Sequence, residues 1–216
     1  EMHHRKISGP IVTIRNRNPT VSGISVKHNQ LLKKIPLPLF FCGLKHCGKS
    51  TLGRLIAEKH HLLFSDADDL ILDSLQNKYE RSVSVREYYR IFGREAFAEI
   101  EFASLRNYLA QSADAKESRL LVALGGGACD NNRLIQHTKI SGGTVFYIQQ
   151  DEKILLTRIM KNGIPPFLDQ NAPEVSFHNL FRERDEKYRG ISDYIIDISG
   201  DQPIEQSAGM INKFLM

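Results

Sequence analysis

The fold is decided by the stretch LFFCGLKHCGKS, which occupies residues 39–50. Its first four residues are apolar, which is typical of a buried parallel strand. The next eight, Gly43 to Ser50, follow the pattern G-x-x-x-x-G-K-S of a phosphate-binding loop, or P-loop. Such a loop aims several backbone N–H groups at one anion, and the helix that follows adds its positive N-terminal end. The stretch therefore predicts a site for the phosphates of a nucleotide.

Individual P-loop residues have separate expected roles. We expect Lys49 to place its ammonium group near the β- and γ-phosphates of ATP, and Ser50 to offer its hydroxyl to Mg²⁺. The side chain of His46 is expected to face solvent, and Cys47 is expected to fill the loop. Contacts to ATP are expected from Gly43, Lys45, His46, Cys47, Gly48, Lys49, Ser50 and Thr51.

Strand and helix patterns alternate from residue 37 to the end of the chain. Repeated strand–helix units of this kind predict a parallel sheet with helices on both faces. We therefore predict a three-layer α/β/α domain over residues 37–216, with a central, mostly five-stranded parallel sheet. The Gly- and Pro-rich segment at about 160–173 predicts a mobile lid.

The positive charge of the chain is concentrated at its N-terminus. The whole sequence of 216 residues has a formal net charge of +4, whereas residues 1–36 carry seven basic side chains and one acidic one. The remaining residues therefore have a net charge of −2, so the basicity does not indicate a nucleic-acid-binding body. We interpret residues 1–36 as a basic, poorly ordered or loosely docked extension of weak strand character. A transit peptide is the alternative that its composition leaves open.

Composition limits the class and the location of the protein. Hydrophobic residues make up 41% and charged residues 25%, which excludes a disordered or collagen-like chain. Three cysteines without a CxxC pair favour a reducing compartment, and no apolar run is long enough to span a membrane. We expect a cytoplasmic monomer that binds a small molecule rather than nucleic acid or a membrane.

Two further motifs follow predicted strands. Asp66 and Asp68 come after the second strand of the domain, where they can cap a helix and also face the P-loop at the carboxyl edge of the sheet. That position suits one of the two acids for binding Mg²⁺ through water or orienting a nucleophile, and the other for contacts to substrate hydroxyls. The triple glycine Gly125–Gly127 ends the most apolar strand, which indicates a close approach of the backbone to a ligand or another segment.

These motifs distinguish the classes of P-loop protein only in part. The guanine-reading tetrad Asn-Lys-x-Asp does not occur in the sequence, which argues against a GTPase. A domain of about 180 residues suits a kinase of a nucleotide or another small molecule.

Together the motifs resemble the shikimate kinase family, within the nucleoside-monophosphate-kinase-like group of P-loop kinases. The resemblance covers most of residues 37–205, and residues 93–101 match the family's Gly-Glu-x-x-Phe-Arg-x-x-Glu helix at Gly93, Phe97 and Glu101. It implies that Arg158 packs on adenine, that the segment ending at Pro203 lies beside adenine, and that Arg184 grips the substrate carboxylate. It also implies substrate contacts from Asp68 and the triple glycine, with Asp66 near Mg²⁺.

Two family arginines are replaced in this sequence. Ala98 stands where the family has an arginine for the substrate carboxylate, and Pro165 stands where it has the lid arginine. Arg94 lies one helical turn before Ala98, so we hypothesise that it reaches the substrate acid instead. Lys161, four residues before Pro165, is a candidate for the missing lid cation.

The resemblance implies ATP- and Mg²⁺-dependent phosphorylation of the 3-hydroxyl of shikimate, a step of chorismate and aromatic amino acid biosynthesis. In this interpretation Lys49 and Asp68 are the catalytic residues. Two alternatives stay open: a kinase of another small hydroxy acid or polyol, and a nucleotide-binding homologue with impaired catalysis.

Overall fold

A computed structural model describes residues 12–16, 35–78, 83–113, 119–161, 163–165, 167–198, 200 and 203–215. The strands in this part of the chain are β1 (Val12–Asn16), β2 (Leu39–Cys42), β3 (Leu63–Asp66), β4 (Leu120–Ala123), β5 (Thr144–Gln150) and β6 (Tyr194–Ile198). The helices are α1 (Lys49–His60), α2 (Ala67–Lys78), α3 (Val85–Ala113), α4 (Asn132–Ile140), α5 (Glu152–Met160), α6 (Pro173–Ile191) and α7 (Ile204–Leu215).

The strands form one sheet in the order β1-β6-β5-β2-β4-β3. Strands β2 to β6 are parallel, which confirms the predicted three-layer α/β/α architecture and its five parallel strands. The structure adds a sixth strand, β1, which pairs antiparallel with β6. This strand comes from the N-terminal extension, where the sequence indicated only weak strand character and loose docking, so for residues 12–16 that expectation is corrected.

The central strand β2 lies at the centre of the hydrophobic core. All four of its residues are buried, and so are all four residues of its neighbour β4. Because both faces of these strands are covered by helices, the strands are continuous apolar runs without alternation. Helix α1 packs closely on the sheet at Gly53, where an added Cβ would lie 2.5 Å from a ring carbon of Phe64. This close packing fixes the helix whose N-terminus carries the P-loop.

A second, smaller apolar cluster joins α2 to α3. Its buried members are Ile71, Leu75, Val83 and Tyr88. Helix α3 has non-helical dihedral angles at Gly93, with φ at 78°. Only glycine adopts this conformation readily, so α3 consists of a short helical part before Gly93 and a long one after it.

The parallel arrangement brings three loops to one edge of the sheet. Strand β2 ends at the P-loop, β3 ends at Asp66, and β4 ends just before Gly125. Carboxyl ends of parallel strands are where ligands bind in such sheets.

Helix α4 was not predicted from the sequence. The side chain of Asn131 caps this helix by accepting a hydrogen bond from the backbone N–H of Leu134. Among the described helices, none is both long and apolar enough to cross a membrane.

Candidate active site

The P-loop takes its shape from glycines at both ends. Gly43 has φ of 146° and Gly48 has φ of 97°, both in the range that favours glycine. A Cβ on Gly43 would lie 2.6 Å from the carbonyl oxygen of Ile148, so β5 also requires a glycine there. Gly48 caps α1, whose first residue is Lys49. The loop therefore has the backbone conformation that an anion cradle needs at the start of a helix.

The ammonium group of Lys49 is held inside this loop. Its Nζ donates to the carbonyl oxygens of Gly43 and Leu44, each at 2.9 Å, and lies 3.8 Å from Sγ of Cys47. Lys49 is buried, as is Cys47, while His46 is exposed as predicted. These bonds fix the charge of Lys49 beside the cradle, where it can neutralise phosphate charge.

A hydroxyl and a carboxylate meet at the end of β3. Ser50 Oγ donates a hydrogen bond to Oδ2 of Asp66, and Oδ1 of Asp66 accepts the backbone N–H of Asp68 at 3.0 Å. The carboxylate of Asp66 thus both caps α2 and faces the P-loop, as the sequence suggested. Because Mg²⁺ prefers hard oxygen ligands and usually takes one or two from the protein, this pair fits a magnesium ion.

Asp68 lies in the same region and reaches solvent. Partial desolvation of its carboxyl, followed by the negative charge of Asp66, raises the pKa of Asp68 above its ordinary value, although Lys45 and Lys49 oppose this. A raised pKa brings a carboxylate closer to what a general base needs near neutral pH.

The triple glycine Gly125–Gly127 joins three parts of the site. A Cβ on its first glycine would lie 2.9 Å from a carboxyl oxygen of Glu101, and one on the second would lie 2.9 Å from the backbone nitrogen of Lys45. On the third, a Cβ would lie 3.2 Å from Nη2 of Arg184. Only the second glycine would meet backbone atoms, so glycine is required at Gly126, where this turn touches the P-loop.

Arg184 is the cation nearest to the triple glycine. Its Nη1 donates to the carbonyl oxygen of Gly126 at 3.1 Å, and its Nη2 donates to Oδ2 of Asp130 at 3.0 Å. Burial alone would raise the pKa of Asp130, but the bond from Lys187 and the positive charge of Arg184 lower it, so Asp130 is ionised. The structure thus brings the predicted substrate arginine to the predicted glycines.

Asn131 occupies the space next to Ala98, where the family has an arginine. Its Nδ2 donates to the carbonyl oxygen of Ala98 at 2.8 Å and to Oε2 of Glu101 at 2.9 Å. Burial raises the pKa of Glu101 to about 6, and the negative charges of Asp68 and Asp130 add to this effect. The hydrogen bond from Asn131 acts in the opposite direction and lowers that pKa. Arg94 is exposed and forms no hydrogen bond or ion pair to another described residue, so its substitution for the missing arginine stays a prediction.

The residues predicted for the adenine side lie around the P-loop. Nη1 of Arg158 donates to the carbonyl oxygen of His46 at 3.2 Å. Pro203 precedes α7, whose Ile204 approaches the P-loop: a Cβ on Gly48 would lie 2.9 Å from its Cδ1. Lys161 is exposed at the end of α5, and Thr51 is exposed in the first turn of α1. Pro166, in the predicted lid, and Ser199, in the segment ending at Pro203, lie outside the described residues.

Sequence reasoning missed three residues of this site: Asp130, Asn131 and Lys187. Asp130 and Asn131 come directly after the triple glycine, and an Asn before an apolar helical pattern is a capping signal that could have been used. Lys187 gave no local signal, because only the packing of α6 brings it to Asp130.

Known proteins resemble this chain over most of its length. The sequence model of the family described as "Shikimate kinase" matches residues 45–215. The chain belongs to the shikimate kinase family. A shikimate kinase of Cupriavidus pinatubonensis is 30% identical over 80% of this chain and 83% of its own length. One from Chromobacterium violaceum is 33% identical over 77% of this chain and 83% of its own length.

Solved shikimate kinases have the same fold. The structure of the enzyme from Acinetobacter baumannii in complex with shikimate has a TM-score of 0.66 and 23% identity, covering 85% of this chain and 97% of that one. The enzyme from Bacteroides thetaiotaomicron gives a TM-score of 0.64 at 22% identity, with 82% and 97% covered. Membership of this shikimate kinase family confirms the predicted resemblance, the class of enzyme and the use of ATP.

Proposed function

We propose that this shikimate kinase family member transfers the γ-phosphoryl group of ATP to the 3-hydroxyl of shikimate. The observation that carries the proposal is the double contact of Gly126. Its Cα packs against the P-loop at Lys45, while its carbonyl oxygen holds Arg184. A phosphate site and a carboxylate-binding cation are thereby fixed side by side, as a kinase of a hydroxylated acid requires.

At the phosphate end, the backbone N–H groups of residues 43–50 and the N-terminus of α1 hold the phosphates. Lys49 supplies a full positive charge at the γ-phosphate, which stabilises charge in the transition state. Ser50 and Asp66 are the residues that would hold Mg²⁺, Asp66 through water. The metal, when bound, neutralises charge on the phosphate oxygens.

At the acceptor end, Asp68 orients the attacking hydroxyl and accepts its proton. The hydroxyl oxygen forms a bond to the γ-phosphorus while the bond from that phosphorus to the β–γ bridging oxygen breaks. ADP leaves with the electron pair of that bond. Arg184 and the backbone of Gly125–Gly127 fix the acid so that this hydroxyl faces the phosphate.

The lid at about 160–173 is proposed to close over both substrates and exclude water, which prevents hydrolysis of ATP. Within the lid, the carbonyl oxygen of Pro165 accepts bonds from the N–H of Leu168 and from Nε2 of Gln170, each at 3.1 Å. Leu168 is buried against the core, so one end of the lid is anchored. Lys161 is the proposed lid cation.

The oligomeric state and the compartment of the enzyme are also proposed. We propose that the enzyme is a monomer, as expected from the sequence. The three cysteines are free and buried, which supports a reducing compartment such as the cytoplasm.

A second candidate is a nucleotide-binding homologue with impaired catalysis, which the replacements at Ala98 and Pro165 favour. A coupled assay of ADP release, with and without shikimate, separates the two. Release that depends on shikimate supports the proposed kinase. ATP binding without turnover on shikimate or another polyol acid supports the second candidate, and turnover with gluconate alone supports a different acceptor.

A further inference from the structure

One carboxylate bridges two cations beside the triple glycine. Asp130 accepts from Nη2 of Arg184 at 3.0 Å through Oδ2, and from Nζ of Lys187 at 2.7 Å through Oδ1. Arg184 and Lys187 are three residues apart on α6, so they lie on the same face of the helix. The two cations therefore form one cluster with Asp130.

The charges of this cluster show why the second cation matters. The side chains of Asp130 and Arg184 are 16% and 21% exposed, so solvent screens their interaction only in part. Asp130 alone would cancel the charge of Arg184, and a neutral pair has little attraction for a substrate carboxylate. Lys187 returns the three-residue cluster to a net charge of +1.

Other acidic groups around the cluster increase the need for the positive charge of Lys187. Glu101 is buried next to Gly125, and its pKa responds to both Asp130 and Arg184. Glu183 accepts from Nζ of Lys187 at 2.5 Å, but its side chain is 61% exposed, so its effect is screened. Without Lys187, Arg184 would be the only cation hydrogen-bonded to these acids in the described part of the chain.

We propose that Lys187 is a positioning residue that takes over the charge of the family arginine replaced by Ala98. It acts through Asp130: it cancels the charge of that carboxylate, and Asp130 in turn holds the guanidinium of Arg184. Nη1 and Nη2 of Arg184 each donate one bond to the protein, which leaves a second N–H on each nitrogen for the substrate carboxylate. The inference rests on the proposed function, because it names the group that shikimate binding requires.

The test compares K187Q with R182Q, which removes an exposed positive charge from the same helix. We expect K187Q to weaken shikimate binding, measured by calorimetry, by about tenfold and to raise the KM for shikimate equally. The KM for ATP should not change, and R182Q should behave like the unsubstituted protein. Binding of the uncharged methyl ester of shikimate should be equally weak in K187Q and the unsubstituted protein. K187R should restore binding.

A double variant separates charge cancellation from a structural role. In D130N/K187Q, Arg184 no longer faces an uncompensated carboxylate, so shikimate affinity should return to within about threefold of the unsubstituted protein. Unchanged affinity in K187Q, or no recovery in the double variant, would overturn the inference. Failure of the proposed function would look different, since the unsubstituted protein would then neither bind nor phosphorylate shikimate.

Discussion

The phosphate end and the acceptor end of the site are built in opposite ways. The phosphate end comes mainly from residues 43–51, a continuous loop and the first turn of one helix. The acceptor end draws on α2, α3, the turn after β4, and α6, which are far apart in sequence. A contiguous loop can keep its conformation through its own glycines, whereas an assembled site depends on many long-range contacts. Substitutions at the first end should therefore remove chemistry, and those at the second should mainly alter affinity and stability.

The largest effect is expected for Lys49→Met, which removes the buried charge at the phosphate end. We expect kcat to fall by about 10²- to 10³-fold, because the transferring phosphoryl group loses a placed cation. Steady-state ADP release measures this. Lys59→Met, an exposed change on the same helix, is the matched control. A decrease in kcat of less than tenfold would show that the loop backbone alone carries the phosphate chemistry.

Asp68→Asn affects the point where the two ends meet. As the proposed base, Asp68 must be ionised, so activity should fall as pH falls through its pKa. Since that pKa is raised, the loss begins at a higher pH than for an ordinary aspartate. We expect kcat to fall by about 100-fold and the acidic limb of the pH–rate profile to disappear in the variant.

Asp73→Asn is the control for this change, because Asp73 is an exposed aspartate on the same helix, α2. If the acidic limb of the pH–rate profile survives in Asp68→Asn, the group that titrates there is not Asp68.

The smallest effect is expected for Glu101→Gln, which should change stability at the acceptor end. Burial raises the pKa of Glu101 from 4.5 to about 6, so the folded state holds this proton more tightly than the unfolded state. Its contribution to stability is therefore complete below pH 4.5 and is lost as pH rises through 6, a difference of up to about 2 kcal/mol.

Urea unfolding from pH 4.5 to 8 measures this contribution. Glutamine stays neutral, so the variant should be more stable than the unsubstituted protein at pH 8, by up to about 2 kcal/mol. The difference should vanish near pH 4.5. Glu95→Gln, an exposed change on the same helix, should leave the pH dependence unaltered. Equal stability of the two proteins at every pH would mean that Asn131 fully compensates the buried charge.

Short sequence patterns were enough to predict much of the fold of this protein. The apolar run of β2 and the glycines of the P-loop indicated a parallel sheet and a phosphate-binding loop; the sheet is present, and the loop has the backbone conformation that such a site needs. The weak strand character of the extension did not reveal that β1 pairs with the sheet, because its partner β6 lies about 180 residues away. The contact of Arg158 with the P-loop confirms only its neighbourhood, and its packing on adenine stays a prediction.

The sequence by itself determined the fold class, the phosphate loop and the family, because glycine dihedral angles, apolar runs and residue spacing act within a few residues. Only the tertiary structure decided the charge balance of the acceptor end. It places Asn131 next to Ala98 and Glu101, and it places Lys187 and Arg184 on one carboxylate of Asp130. Coulomb interactions depend on distance in space, and the packing of α6 against the turn after β4 sets that distance.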